Sequence, residues 1–155
     1  MTSALPQGLS VRPVRPDELG ALLALYTTLH VKDAALPADE VLQSVWQEML
    51  ENPSHHILVA EVDGLLVASA TLLIVSNLTR GARPYALVEN VVTLPAWRKR
   101  GIAGTLLRTA QNMAWAANCY KLTLTTGRRD AETLRFYRNA GFSADDKTAF
   151  VARPE

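Results

Sequence analysis

The sequence has few of the features that mark specialised classes of protein. It contains one cysteine, Cys119, so no disulfide can form within the chain, which suits a reducing compartment. The formal net charge is +1, which gives no argument for binding nucleic acid or an anionic membrane. No apolar run is long enough to span a bilayer, and the first residues lack the pattern of a signal peptide. We therefore expect a cytoplasmic protein with neither nucleic acid nor membrane as a partner.

Two common phosphate-binding motifs and a shared metal site are also missing. The sequence has no G-x-x-x-x-G-K-[ST] and no G-x-G-x-x-G between a strand and a helix. This excludes the usual P-loop enzymes and dinucleotide dehydrogenases. His55 and His56 are adjacent at the start of a predicted strand, so their side chains should point to opposite faces. We accordingly expect no metal.

The length and the apolar pattern predict one α/β domain over residues 1–155. The chain is 48% hydrophobic and 20% charged, which is normal for a globular protein. The Asp63-Gly64 pair between two apolar runs is typical of a two-residue hairpin turn. Strands are predicted over 11–14, 56–62, 65–78, 85–94 and 121–125, helices from 16–17 onward and over 37–51, 101–118 and 131–140, and a small terminal hairpin over 142–151.

The stretch from residue 89 to residue 107, ENVVTLPAWRKRGIAGTLL, indicates a strand, a tight loop and a helix. Gly101 and Gly104 allow a ligand to approach the backbone, and the first N–H groups of the helix lack partners within it. Together with the helix dipole, these groups form an anion site, and Arg98, Lys99 and Arg100 add positive charge. On the alternative interpretation, the glycines only punctuate the connection and the basic side chains are solvated.

Two motifs in this order resemble those of the GNAT superfamily of acetyl-CoA-dependent N-acetyltransferases. Arg98, Gly101 and Ala103 spell R-x-x-G-x-A after a V-V-x-x-P strand end, similar to motif A of that superfamily. The segment LRFYRNAGF, residues 134–142, resembles its second signature. The resemblance implies the GNAT fold, a mixed central sheet of six to seven strands with flanking helices, in which the parallel strands 4 and 5 splay apart.

The resemblance also implies where the co-substrate acetyl-CoA binds. In GNAT proteins the splayed strand 4 pairs with the pantetheine arm, and the following loop and helix hold the pyrophosphate. Carried over residue by residue, the arm meets the main chain of Val91, Val92 and Thr93. The pyrophosphate site and its lead position comprise Arg98, Lys99, Arg100, Gly101, Ile102, Ala103 and Gly104.

The same resemblance suggests two catalytic residues. Tyr137 matches the tyrosine that acts as a general acid near the sulfur, although core packing beside Phe136 would also explain it. Glu89 stands where several GNAT enzymes keep a general base, with surface solvation as the alternative. His30 and Asp33 lie in a loop that often recognises the acceptor in GNAT proteins.

The implied reaction is direct acetyl transfer to a primary amine of a small molecule or peptide in a ternary complex. The alternative is a non-catalytic acyl-CoA sensor or structural domain of the same fold. The sequence does not identify the acceptor, and the length of the acyl group stays open. It also leaves the oligomeric state open, with a homodimer among the expectations because dimers are common in similar proteins.

Overall fold

The computed structural model describes residues 4–155, and up to residue 141 its strands and main helices follow the order that the sequence predicts. Among residues 4–155 no helix combines the length and the apolar character that crossing a membrane requires. The strands are β1 (Ser10–Pro13), β2 (His55–Val62), β3 (Leu65–Val75), β4 (Tyr85–Thr93) and β5 (Leu122–Leu124). The helices are α1 (Leu19–Leu29), α2 (Asp39–Glu51), the irregular turn α3 (Thr79–Ala82), α4 (Ile102–Ala116) and α5 (Ala131–Asn139), with 3-10 turns at Pro16–Glu18 and Pro95–Trp97.

The strands form one mixed sheet in the order β1-β2-β3-β4-β5. The first four strands pair antiparallel, and β5 runs parallel to β4. Asp63 and Gly64 join β2 to β3 with φ values of 50° and 82°. Two successive positive φ values are the mark of a type I′ turn, so the predicted hairpin is confirmed.

Helices cover both faces of the sheet, which explains why β2 and β3 are apolar on both sides. On one face, α4 packs Leu106 and Ala110 against Leu58 and Leu72. On the other face, α1 and α2 enclose a second cluster that includes Leu22, Leu25, Trp46, Val59 and Val92. The prediction that β2 and β3 are central strands is confirmed, and the sheet separates the two halves of the core.

The predicted strand count and the terminal hairpin are wrong. Within the described residues 4–155 the sheet has five strands, not six to seven, and residues 142–151 contain no strand. Phe142 packs against the core, but Phe150 is 94% and Val151 71% exposed, so the rest of this segment buries no apolar face against the domain. A two-stranded hairpin is at best marginally stable without such packing. The C-terminal segment therefore lies outside the sheet.

An ionic brace of three partly buried side chains, Arg12, Glu18 and Glu61, connects β1 to β2 and to the first 3-10 turn. Arg12 on β1 pairs with Glu61 on β2 and with Glu18 in the first 3-10 turn. The hydrogen bond from Arg12 is the largest influence on Glu18 and lowers the pKa of its carboxyl from 4.5 to about 2. The brace fixes the start of α1 relative to the sheet, and α1 forms one wall of the cleft described next.

Candidate active site

Strands β4 and β5 separate soon after they meet, as the family resemblance implies for strands 4 and 5. Their pairing joins Ala86, Leu87 and Val88 to the three residues of β5, from Leu122 to Leu124. Beyond Val88, β4 has no strand on that side in the described residues 4–155. The second half of β4 therefore presents one edge of its backbone to a cleft.

A β-bulge lies at the point where the two strands separate. Thr71 pairs with Glu89 and Ser69 pairs with Val92, so β4 has one residue more than β3 between these pairs. Asn90, within this extra length, adopts a φ of 51°, which is uncommon for a residue other than glycine. A bulge bends its strand and changes the direction of the side chains that follow. Here it turns the end of β4 away from β5.

The hydrogen-bond alternation of the β3–β4 ladder determines which backbone groups are free. The Leu94 N–H donates to the Val67 carbonyl at 2.9 Å, so Leu94 and Val67 face each other. Because backbone groups along an antiparallel strand alternate in direction, those of Val92 also face β3. The backbone groups of Val91 and Thr93 therefore face the cleft.

The loop before α4 has the geometry of an anion site. Gly101 is the N-cap of α4 with a φ of 76°, and Lys99 has a φ of 61°. No side chain from residues 4–155 caps this helix, and Thr105 is the first residue whose N–H bonds back to the Gly101 carbonyl, at 3.1 Å. The N–H groups of residues 102–104 are thus orphan donors at the positive end of the helix dipole. Such a terminus binds phosphate without further assistance.

The three basic residues of the loop have different surroundings. The Arg98 Nε donates to the Thr93 carbonyl at 3.1 Å, which braces the loop against the end of β4. The Lys99 Nζ lies 3.0 Å from the Glu132 carboxylate in the first turn of α5. The guanidinium of Arg100 lies 5.0 Å from the centre of the Trp97 ring. Of these three residues, Arg98 and Lys99 line the cleft and Arg100 does not.

The cleft between these elements has a volume of about 1060 Å³. That is at the upper end of the range typical of ligand pockets, roughly 300–1,000 Å³. Every residue predicted for the site lines the cleft, with the exception of Arg100. The lining residues are Glu89, Val91, Val92, Thr93, Arg98, Lys99, Gly101, Ile102, Ala103, Gly104 and Tyr137. One space therefore brings together the strand edge, the helix N-terminus and both predicted catalytic side chains.

Tyr137 reaches the cleft from α5 and is half-buried among aromatic rings. Its ring contacts Phe136 at a centroid distance of 4.9 Å and Phe142 at 6.4 Å. Burial raises the pKa of its hydroxyl, and the nearby charge of Arg128 opposes the rise. The hydroxyl is therefore protonated at neutral pH. Packing and a role as a proton donor are compatible at this position.

The order of elements, the bulged and splayed β4, and the open helix N-terminus have a counterpart among known families. The acetyltransferase (GNAT) family model matches residues 21–142. The chain belongs to this family. It is accordingly an acyltransferase, and the resemblance drawn from the two motifs is confirmed.

Individual relatives of this GNAT chain include enzymes that act on different amines. A putative acetyltransferase from Agrobacterium tumefaciens str. C58 has 48% identity and a TM-score of 0.87, with 94% of this chain and 99% of that chain covered. The aminoglycoside N(6′)-acetyltransferase type 1 of Serratia marcescens is 28% identical over 88% of this chain and 93% of its own length. The glucosamine 6-phosphate N-acetyltransferase of Trypanosoma brucei brucei is 32% identical over 54% of this chain and 55% of its own length.

The GNAT cleft also contains residues that sequence reasoning left out. Thr28 and Leu29, at the end of α1, line it beside His30, whereas Asp33 does not. The helical period of α1 indicates only which side chains are buried, so it gives no signal for its last turn. Arg135 on α5 also lines the cleft, at a position within the second motif.

In the described part of the chain, no three His, Cys, Asp or Glu side chains cluster closely enough to hold a metal ion.

Proposed function

We propose that this GNAT protein transfers the acetyl group of acetyl-CoA directly to a primary amine of a small molecule or peptide, within a ternary complex. One observation carries the proposal. The free backbone edge of β4 leads to the uncapped N-terminus of α4, and Glu89 and Tyr137 line the same cleft. The arrangement offers a strand-like partner for a long amide-bearing arm and an anion site at its far end.

The donor side of the cleft fits acetyl-CoA in two parts. The pantetheine amides pair with the free backbone groups of Val91 and Thr93, as an added strand pairs with a sheet edge. Arg98 holds the Thr93 carbonyl, so Val91 and the Thr93 N–H supply the direct contacts. The pyrophosphate accepts hydrogen bonds from the N–H groups of residues 102–104. Lys99 lies beside this site, and its ammonium group balances the negative charge of the pyrophosphate once it leaves Glu132.

The reaction proceeds by attack of the neutral amine nitrogen on the thioester carbonyl. Glu89 accepts the proton that the ammonium group loses, directly or through water. Whichever of the Val91 and Thr93 N–H groups does not pair with the arm donates to the carbonyl oxygen as it becomes an oxyanion. The C–S bond then breaks as the Tyr137 hydroxyl gives its proton to the departing thiolate, and the proton that the nitrogen loses in becoming an amide restores the Tyr137 hydroxyl. An amide and free CoA leave, with no acyl group on the enzyme.

The acceptor enters the cleft from the side of β4 opposite to the acetyl-CoA arm. The last turn of α1 and Glu89 line this part of the cleft. The relatives acetylate amines on an aminoglycoside or on a sugar phosphate, according to their names. Both compounds are small polar molecules with a primary amine, so we extend that substrate class to this chain.

A thiol-release assay with acetyl-CoA tests the proposal directly. The acceptor panel comprises aminoglycosides, glucosamine 6-phosphate, polyamines, amino acids and peptides with free N-termini. We expect turnover on at least one small-molecule or peptide amine, without a burst of acetylated enzyme. Tight binding of acetyl-CoA without turnover on any acceptor would instead support a non-catalytic acyl-CoA sensor.

A further inference from the structure

The side chain of Tyr26 on α1 ends at the β4 bulge. Its ring packs in the apolar cluster between the sheet and the first two helices. Its hydroxyl lies beside three polar side chains, those of Thr71, Ser69 and Asn90. Burial raises the pKa of this hydroxyl, and the three polar neighbours oppose the rise. The hydroxyl is neutral at physiological pH and can both donate and accept.

These three neighbours are the residues that frame the bulge. Ser69 and Thr71 stand on either side of the register shift in β3, and Asn90 is the residue with positive φ opposite them. Thr71 also pairs directly with Glu89, and side chains that are paired across antiparallel strands share a face of the sheet.

The hydroxyls of Tyr26 and Thr71 are buried but incompletely bonded. Thr71 is 3% exposed, and within residues 4–155 neither its Oγ1 nor the Tyr26 hydroxyl has a partner with the distance and angle of a full hydrogen bond. Ser69, by contrast, donates to the Leu58 carbonyl at 2.9 Å. Buried polar groups without partners are rare and usually have a functional explanation. The exposed amide side chain of Asn90 is the neighbour of the Tyr26 hydroxyl that is not itself buried.

We propose that Tyr26 is a positioning residue for acyl transfer, whose hydroxyl engages Asn90 and Thr71 and holds the β4 bulge in its reactive shape. The inference rests on the proposed function for its effect on catalysis. The bulge determines two directions at once: that of the Glu89 carboxylate and that of the Val91 backbone. Tyr26 therefore acts on the reaction through these groups without touching either substrate.

The test is Tyr26→Phe, which removes only the hydroxyl and leaves the packed ring. We expect kcat to fall about three- to tenfold, the factor that one neutral hydrogen bond contributes. The affinity for acetyl-CoA should change less than kcat, because the anion site at α4 is unaffected and only the Val91 contact lies at the bulge. Because Phe keeps the packed ring and the bulge is one local feature of the fold, the melting temperature should change little. Tyr85→Phe is the matched control, because Tyr85 is a half-buried tyrosine at the far end of β4.

Asn90→Gly supplies the partner variant for a double-mutant cycle. Glycine keeps the positive φ of the bulge without strain but has no amide for Tyr26 to engage. We expect the double variant to lose no more kcat than the more impaired single variant. Thr71→Ser retains the hydroxyl and should keep more activity than Thr71→Val. Additive losses in the cycle, an unchanged kcat in Tyr26→Phe, or a fall in melting temperature that parallels the activity loss would each overturn the proposal.

Amide hydrogen exchange provides a readout that does not depend on the reaction. The Val92 amide faces Ser69 across the bulge, so its protection reports whether the bulge opens. Tyr26→Phe should speed exchange at Val92 about three- to tenfold, whereas Tyr85→Phe should not. If the wild-type protein acetylates no amine, the proposed function fails while exchange still tests the restraint. Unchanged exchange at Val92 would overturn the inference even in an active enzyme.

Discussion

Replacing Gly104 with alanine should make the protein more stable and its binding of acetyl-CoA weaker. Gly104 is the third residue of α4 and lines the cleft, and a Cβ at this position would meet no atom within 4 Å. Its φ is not positive, so alanine fits the helical backbone without strain. The new methyl group would stand beside the orphan N–H groups where we expect the pyrophosphate.

The two effects have opposite signs and different physical origins. Glycine in a helix is about 0.5–1 kcal/mol less stable than alanine. For a domain of this size, that gain raises the melting temperature by roughly 1–4 °C. A hydrogen bond to a charged group contributes about 1.5–3 kcal/mol, so displacing the pyrophosphate from one N–H should weaken binding about tenfold or more. Thermal unfolding of the ligand-free protein and calorimetric titration with CoA measure the two quantities separately.

Gly20→Ala is the matched control for this experiment. Gly20 lies in α1, and its added Cβ would also meet nothing within 4 Å, but it does not line the cleft. This variant should raise the melting temperature and leave CoA affinity unchanged. If Gly104→Ala is stabilised and binds CoA as tightly as the wild type, the pyrophosphate does not approach the start of α4 and the donor site described above is wrong.

Three further substitutions test the acid, the base and the ionic brace. Tyr137→Phe should lower kcat about 10²-fold or more, as expected when a general acid is lost, and an unchanged kcat at every pH would leave packing as its role. Glu89→Gln should lower kcat/KM, with a loss that shrinks at alkaline pH where the amine is already neutral, and an intact pH–rate profile would remove it as the base. Glu18 is more acidic in the folded state, so its ionised form stabilises the fold above about pH 4.5, and this stabilisation disappears as the pH falls toward 2. Glu18→Gln should therefore lower the melting temperature at pH 7, and its difference from wild type should narrow below about pH 4.5, whereas a constant difference would contradict the pairing with Arg12.

The sequence predicts the site best where chemistry depends on local backbone rules. Gly101 can be identified as the start of a helix and as a turn, and its φ of 76° confirms that geometry. Asp63 and Gly64 form the expected hairpin for the same reason. The splay of β4 from β5 came from the family resemblance, since no local pattern indicates where two parallel strands separate.

Features that depend on register or side-chain direction could not be predicted. The run from Val88 to Val92 has the pattern of an uninterrupted strand, and the extra residue at Asn90 becomes visible only when β4 is aligned with β3. Arg100 adds positive charge to the sequence motif, but its guanidinium lies against the Trp97 ring and Arg100 does not line the cleft. The prediction of a terminal hairpin was wrong because it depended on local β-propensity, and the Phe150 side chain finds no apolar surface to pack against.

The unpaired edge of β4 has a consequence for the ligand-free protein. An open strand edge is a template for pairing with another chain and thus a route to aggregation. In this molecule the bulge at Asn90 and the Arg98 bond to the Thr93 carbonyl interrupt that edge. A bound arm would cover the remaining groups and stabilise the native state by mass action. The abundance of the acyl donor in the cell would then govern how long the enzyme survives, as well as how fast it works.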